Sequence, residues 1–188
     1  YNGYKAYWSD GAQIIAPHDT NIIDHVNKIT GIESVKMQGD PSKIEIIGKE
    51  IDDKFLAAIK GLSLSPETNA KYGDMKIVYT PIHGTGGQII PRLFKKAGFN
   101  NIDCVEEQMI VDGNFPTVVS PNPEEKAALT MAIEKAKKVN ADVVLATDPD
   151  ADRLGVLAKD TKTGEYMPFT GNMSGLLIAE YILDQKKA

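Results

Sequence analysis

Apolar and polar positions alternate along this chain in blocks whose period changes from helical to extended and back. Ile51, Phe55, Ile59 and Leu62, with Leu56, recur at helical spacing and predict one amphipathic helix. Met75 to Thr80 (MKIVYT) is β-rich and stops at Pro81, which predicts a strand that delivers a loop at its carboxyl end. Ile89, Ile90, Leu93, Phe94 and Ala97 return to the helical period, with Pro91 tolerated in the first turn and Gly98 as the stop. Ile102 to Val105 predicts a short strand. Asn122-Pro123-Glu124-Glu125 combines an N-cap residue, a proline at N1 and a glutamate at N3, so a helix is expected to start there. It would carry Leu129, Ala132, Ile133 and Ala136 on one face and end near Asn140. Asp142 to Ala146 (DVVLA) and Leu154 to Ala158 (LGVLA) read as two apolar strands either side of a very polar loop, and 171–183 as a last helix.

Strands that alternate with helices predict an α/β fold with a mixed, partly parallel sheet. The first 30 residues stand apart. Tyr4 to Trp8 predicts a strand, Asp10-Gly11 a turn, and the run after Pro17 a polar helix, too few partners for a core. Gly39, Pro41 and Gly48 mark 32–48 as a connecting segment, and a boundary is placed near Thr30.

Composition narrows the function classes. The chain has 188 residues, 42% apolar and 25% charged, enough for one domain and part of another with a packed core. Its 21 basic and 26 acidic side chains leave a net charge of −5, so no basic excess exists to displace counterions from nucleic acid. Cys104 is the only cysteine, which excludes an internal disulfide and a cysteine-based zinc cage and predicts a reduced, cytoplasmic chain. Cys104 itself is expected to be a buried, small apolar residue. No run approaches the roughly 18 apolar residues of a membrane span, and no signal-peptide pattern opens the chain, so no membrane partner is expected. Both ends fall inside patterned segments, and the chain is expected to be a piece of a longer protein.

The strongest chemical signal is Thr147-Asp148-Pro149-Asp150-Ala151-Asp152-Arg153, between the two apolar strands. Carboxylates at alternating positions of a nearly extended loop share a side, with i and i+2 about 6 to 7 Å apart. Left alone they would repel and raise one another's pKa, so a divalent cation is the natural neutraliser. An EF-hand is excluded, because its glycine and glutamate positions hold Arg153 and Lys159. A short, oxygen-only loop suits Mg²⁺, which keeps waters and takes other oxygens from a phosphate. Arg153 would fork a phosphate or brace the carboxylates.

A second signal, Pro81-Ile82-His83-Gly84-Thr85-Gly86-Gly87, joins a strand to a helix. It fits neither the dinucleotide fingerprint nor a P-loop, and by itself it reads either as a tight structural turn or as a phosphate cradle. His83 reads as a structural hydrogen-bonding residue, and His18 and His25 as surface residues.

Taken together, Tyr1-Asn2-Gly3-Tyr4-Lys5, TPIHGTGG, VSPNPEE at 119–125, TDPDADR and FTGNMSG at 169–175 resemble the α-D-phosphohexomutases, the phosphoglucomutase and phosphomannomutase superfamily. With YWSDGAQI near the start, the chain is most similar to the branch of phosphopentomutase-like and glucose 1,6-bisphosphate synthase-like members. The resemblance implies a three-layer domain, a mixed sheet between helices. On it, residues 1–30 correspond to the end of mutase domain 1, 31–167 to domain 2 with its metal loop, and 168–188 to the start of domain 3. It implies a Mg²⁺-dependent mutase that interconverts sugar 1-phosphates and 6-phosphates through a phosphoserine, with glucose 1,6-bisphosphate as activating intermediate. Asp148, Asp150 and Asp152 match the metal ligands, Asp152 and Arg153 the phosphate-contacting residues, and Lys5 a lysine that assists proton transfer. The serine loop, sugar loop and domain 4 of that family have no counterpart here, so the chain alone is expected to be inactive and to self-associate through uncovered apolar surface.

Two other readings compete. An aspartyl-phosphate phosphatase would use Asp148 as nucleophile and Asp150 as general acid. A non-catalytic sugar-phosphate or protein-binding module would bind without turnover.

Overall fold

The computed structural model describes residues 5–187. The chain divides between Ile46 and Ile47 into two compact units.

In the first unit, Tyr7 and Gln13 form an isolated antiparallel bridge around the turn at Asp10-Gly11. The Ala12 N–H donates to Asp10 Oδ1 at 2.9 Å, and Gly11 takes the positive φ of +82° that the turn requires. The strand expected from Tyr4 to Trp8 is therefore only that bridge, and Tyr4 lies outside the described residues. Helix α1 (His18–Asn27) buries none of its residues, and His18 and His25 are exposed on it. Short 3₁₀ turns at Ile32–Ser34 and Pro41–Lys43 complete the unit.

The second unit is an α/β domain. It runs α2 (Lys49–Gly61), α3 (Pro66–Lys71), β1 (Lys76–Thr80), α4 (Ile90–Ala97), β2 (Asn101–Cys104), α5 (Thr130–Val139), β3 (Val143–Thr147), β4 (Leu154–Lys159), β5 (Tyr166–Phe169) and α6 (Gly171–Lys187). The sheet order is β2-β1-β3-β4-β5; the first three strands are parallel and the last two antiparallel. This is the mixed sheet expected from the sequence.

Alternation along the strands sorts the core. Val78, Val144, Ala146 and Leu157 face Ala132 and Ala136 of α5, all at most 1% exposed, and the alanines let the helix lie close to the sheet. On the other face Tyr79 meets Phe94 of α4 edge to face, with ring centroids 6.5 Å apart. Gly98 and Asn140 end α4 and α5 in the left-handed conformation, at φ 105° and 55°. The Tyr166 hydroxyl lies 2.9 and 2.7 Å from the Ala136 and Ala141 carbonyls and closes the end of α5.

Four expectations change. The helix expected from Asn122 begins at Thr130, because Asn122 and Pro123 close a turn and 126–129 form a 3₁₀ segment. There Asn122 Oδ1 accepts from the Glu124 N–H, while Glu125 Oε1 accepts from the Asn122 side-chain amide and not from its backbone N–H. The apolar stripe of α2 buries only Leu56; Ile51, Phe55 and Leu62 stay exposed, since α2 packs on α4 through a narrow contact clamped by Arg92 to Asp52 and Asp53. Strand β5 was not apparent; its Pro168 is tolerated because β5 is an edge strand. Cys104 is half-buried instead of buried, and its thiol pKa is pushed up by that burial and by Glu106.

Candidate metal site on the carboxylate loop

Parallel pairing of β1 with β3, in the register Thr80↔Ala146, brings their carboxyl ends side by side. The loops that follow them, 81–84 and 148–153, therefore leave the same edge of the sheet, where α/β proteins commonly build ligand sites.

Asp148 is the first residue after β3 and is 1% exposed. Its Oδ1 accepts from the Arg153 backbone N–H at 3.0 Å and its Oδ2 from Arg153 Nε at 2.9 Å. Between them the chain doubles back: the Ala151 N–H donates to the Asp148 carbonyl at 3.0 Å, and Ala151 has φ 61°. That reversal points Asp150 and Asp152 toward Asp148. One carboxylate oxygen from each of the three lies within 4.8 Å of the others, with Asp148 buried and the other two exposed. The coordination shell of one hard cation is about 4 to 5 Å across, so the oxygen-only donor set fits a single Mg²⁺ or Ca²⁺.

Burial would raise the Asp148 pKa, but the backbone and guanidinium hydrogen bonds from Arg153 outweigh it and hold the carboxyl below the usual carboxylate range. Asp148 therefore stabilises the fold above its unfolded pKa of about 3.9, and that contribution is lost as the pH falls through the lower folded value. In the metal-free protein, the Asp148 carboxyl carbon is expected to titrate at lower pH by NMR than in Arg153→Gln. Equal midpoints would contradict the role given to Arg153.

The glycine loop supports this site from behind. The Thr85 N–H donates to the Pro149 carbonyl at 2.9 Å, and its hydroxyl reaches the same oxygen at 3.2 Å. A Cβ on Gly84 would sit 2.4 Å from Pro149 Cα, and one on Gly86 2.6 Å from the Tyr79 hydroxyl oxygen. Neither glycine has a positive φ; both are required by close approach. Burial pushes the Tyr79 hydroxyl up to about 12, so it stays a neutral partner for Thr147 Oγ1 at 2.9 Å. With the Gly84 N–H on the Pro81 carbonyl and the Thr85 N–H on Pro149, this is a packed turn, and those two amides are not available to cradle a phosphate.

Ile82 and His83 hold φ of 46° and 63°, a conformation that costs a non-glycine residue roughly 1 kcal/mol or more. His83 is 3% exposed and fully hydrogen-bonded: Nδ1 to the Ile110 carbonyl at 2.9 Å and Nε2 to Thr117 Oγ1 at 2.8 Å. Gln108 and Thr117 gave no signal in the sequence, since their roles depend on partners far away in the chain; Thr85 stood inside the glycine motif without a role of its own. Lys5 is exposed and lies in the first unit; the triad and Arg153 lie in the second. The Tyr1-Asn2-Gly3-Tyr4 part of the opening motif lies outside the described residues.

A mixed-sheet α/β domain with a braced carboxylate loop at its strand ends is the class that fold and site define. Residues 53–163, more than half of the chain, match the family model of the phosphoglucomutase/phosphomannomutase alpha/beta/alpha domain II, and the chain belongs to that family. It is 35% identical to the "Phosphoglucomutase" of Staphylococcus haemolyticus and 34% identical to the "Probable phosphomannomutase" of Haemophilus influenzae, in each case over 98% of this chain. These alignments span 33% and 37% of the relatives, so the chain corresponds to about a third of their length. The crystal structure of a phosphoglucomutase/phosphomannomutase family protein from Burkholderia thailandensis superposes with a TM-score of 0.55 at 27% identity, covering 72% of this chain and 26% of that one. Among the described residues, no helix is long and apolar enough to cross a membrane.

Proposed function

We propose that this chain is the metal-loop portion of a cytoplasmic, Mg²⁺-dependent mutase that moves a phosphoryl group between the 1- and 6-positions of a phosphosugar. The observation that carries the reading is the convergence of Asp148, Asp150 and Asp152 on one point within 4.8 Å, on a loop that Arg153 and Thr85 hold in place. A cation bound there would supply Lewis-acid stabilisation of charge on a transferring phosphoryl group. The chain's own contribution is positional. Arg153 keeps Asp148 ionised and aimed, and its side chain, 56% exposed, retains guanidinium donors for a phosphate oxygen. Exposed Asp150 and Asp152 complete the ligand set, and Lys5 is assigned to proton transfer on a sugar hydroxyl.

The phosphoserine and a glucose 1,6-bisphosphate intermediate belong to the same proposal, as properties of a protein of the relatives' length. Within it, residues 1–30 are read as the end of domain 1, 31–167 as domain 2 and 168–188 as the start of domain 3, and the isolated chain is read as inactive. Exposed Met173, Leu176, Leu177, Ile178 and Leu183 on α6 support self-association of this chain. The phosphatase reading is weaker, because such a site needs its D-x-D near the start of the domain with helices following, whereas Asp148 and Asp150 follow the third strand. Assay of the full-length protein on hexose phosphates, with and without chelator, tests the proposal. Phosphosugar interconversion abolished by chelator supports it, and turnover indifferent to chelator contradicts it.

A further inference from the structure

A chain of hydrogen bonds with a single direction runs behind the glycine loop. The Ile110 carbonyl can only accept, so His83 Nδ1 carries a proton and donates to it; in the neutral ring Nε2 then accepts from the Thr117 hydroxyl. Thr117 Oγ1 accepts from Gln108 Nε2 at 3.0 Å, Gln108 Oε1 accepts from the Thr80 hydroxyl at 2.6 Å, and Thr80 Oγ1 accepts from the Ile82 N–H at 3.1 Å. The Gln108 carbonyl also accepts the His83 N–H at 2.9 Å. Gln108 and Thr80 are fully buried and His83 nearly so. The relay thus starts at the Ile82 N–H and runs out through the His83 ring to the Ile110 carbonyl, so it takes in both consecutive residues with left-handed backbone. One residue further on, Gly84 touches Pro149, and Thr85 donates twice to its carbonyl.

We propose that His83, with Gln108 and Thr117, is a positioning group for the carboxylate loop. The relay holds 82–84 in the one conformation that puts the Thr85 N–H and hydroxyl under the Pro149 carbonyl, between the first two carboxylates of the triad. The structural half of the inference stands alone; its consequence for cation affinity rests on the metal reading of Asp148, Asp150 and Asp152.

Two readouts on this chain separate the two halves. In His83→Ala and in Thr117→Val, the Thr85 amide should exchange with solvent at least about tenfold faster while the Val78 and Tyr79 amides of β1 keep their protection. Mn²⁺ binding, followed by water-proton relaxation, should weaken by about tenfold, as for other groups that orient metal ligands at one remove. His83→Asn, which keeps a donor at the Nδ1 position and tolerates a positive φ, should restore both readouts toward wild type. Should His83→Ala fail to fold, Thr117→Val decides: unchanged Thr85 exchange overturns the positioning role. Asp150→Asn should abolish Mn²⁺ binding with Thr85 protection intact. If it binds Mn²⁺ like the wild type, the metal reading is wrong while the exchange result still judges the relay.

Discussion

In the full-length protein, Asp150→Asn is expected to lower phosphosugar mutase turnover by at least about 10²-fold, the usual scale for removing a preorganised electrostatic group at a reacting centre. Asp150 is the informative position because it is exposed and anchors no part of the fold, so a loss of activity there reports on the site and not on stability. Asp148 would be ambiguous. It is buried, and its replacement would also remove the two hydrogen bonds from Arg153 that hold the loop in shape, so a loss of activity there could come from the fold alone. The check is steady-state turnover of hexose 1-phosphate at saturating Mg²⁺, beside a thermal melt to verify folding. Near-normal activity in a folded Asp150→Asn enzyme would remove the carboxylate triad from the mechanism.

The second large effect is expected from Gly84→Ala. The added methyl would lie 2.4 Å from Pro149 Cα and 2.6 Å from its carbonyl oxygen, and both are backbone atoms that cannot swing aside. Either the two loops part or β1 and β3 shift in register, and overpacking of this kind destabilises by about 1 to 3 kcal/mol. Parting of the loops would also cost the Thr85 hydrogen bonds and spread the carboxylates. Gly113→Ala is the control, because a Cβ there meets nothing within 4 Å and its φ is ordinary. Denaturant melts should separate the two variants, with the control within about 0.5 kcal/mol of wild type. Equal stability of Gly84→Ala and Gly113→Ala would show that the two loops do not support each other.

How much of this could be read from the residues follows from how locally each feature is encoded. β1, β3 and β4 were legible because MKIVYT, DVVLA and LGVLA are apolar runs bounded by breakers. The carboxylate loop was legible because its three carboxylates alternate within five residues, although a reversal at Ala151, and not the nearly extended run expected, brings them together. β5 was hidden: four residues with a proline among them look like a turn, and only the edge of an existing sheet makes them a strand. The capping pattern at Asn122 was real local chemistry, but it closed a turn one element too early, and the helix began eight residues later at Thr130. Of the relay beneath the site only the structural hydrogen-bonding role of His83 was legible, since Thr80 at the end of β1, Gln108 in a 3₁₀ turn and Thr117 in a loop are far apart in the chain and meet only in the fold. Periodicity also overstated α2, whose stripe predicts a buried face that this chain covers only at Leu56.

Family membership constrains which of these features bear on chemistry, because the loop that Arg153 and Thr85 brace falls inside the matched residues 53–163. What distinguishes an ordinary acidic turn from a cation site is whether the three carboxylates act as one receptor. The most direct measurement is a Mg²⁺ titration of this chain followed by backbone NMR. Saturable shifts confined to Thr147 through Arg153, with Thr85 moving in step and the rest of the sheet still, are expected if Asp148, Asp150 and Asp152 hold a cation between them. A loop that stays silent through millimolar Mg²⁺ while the β1 and β3 amides remain protected would contradict the assignment.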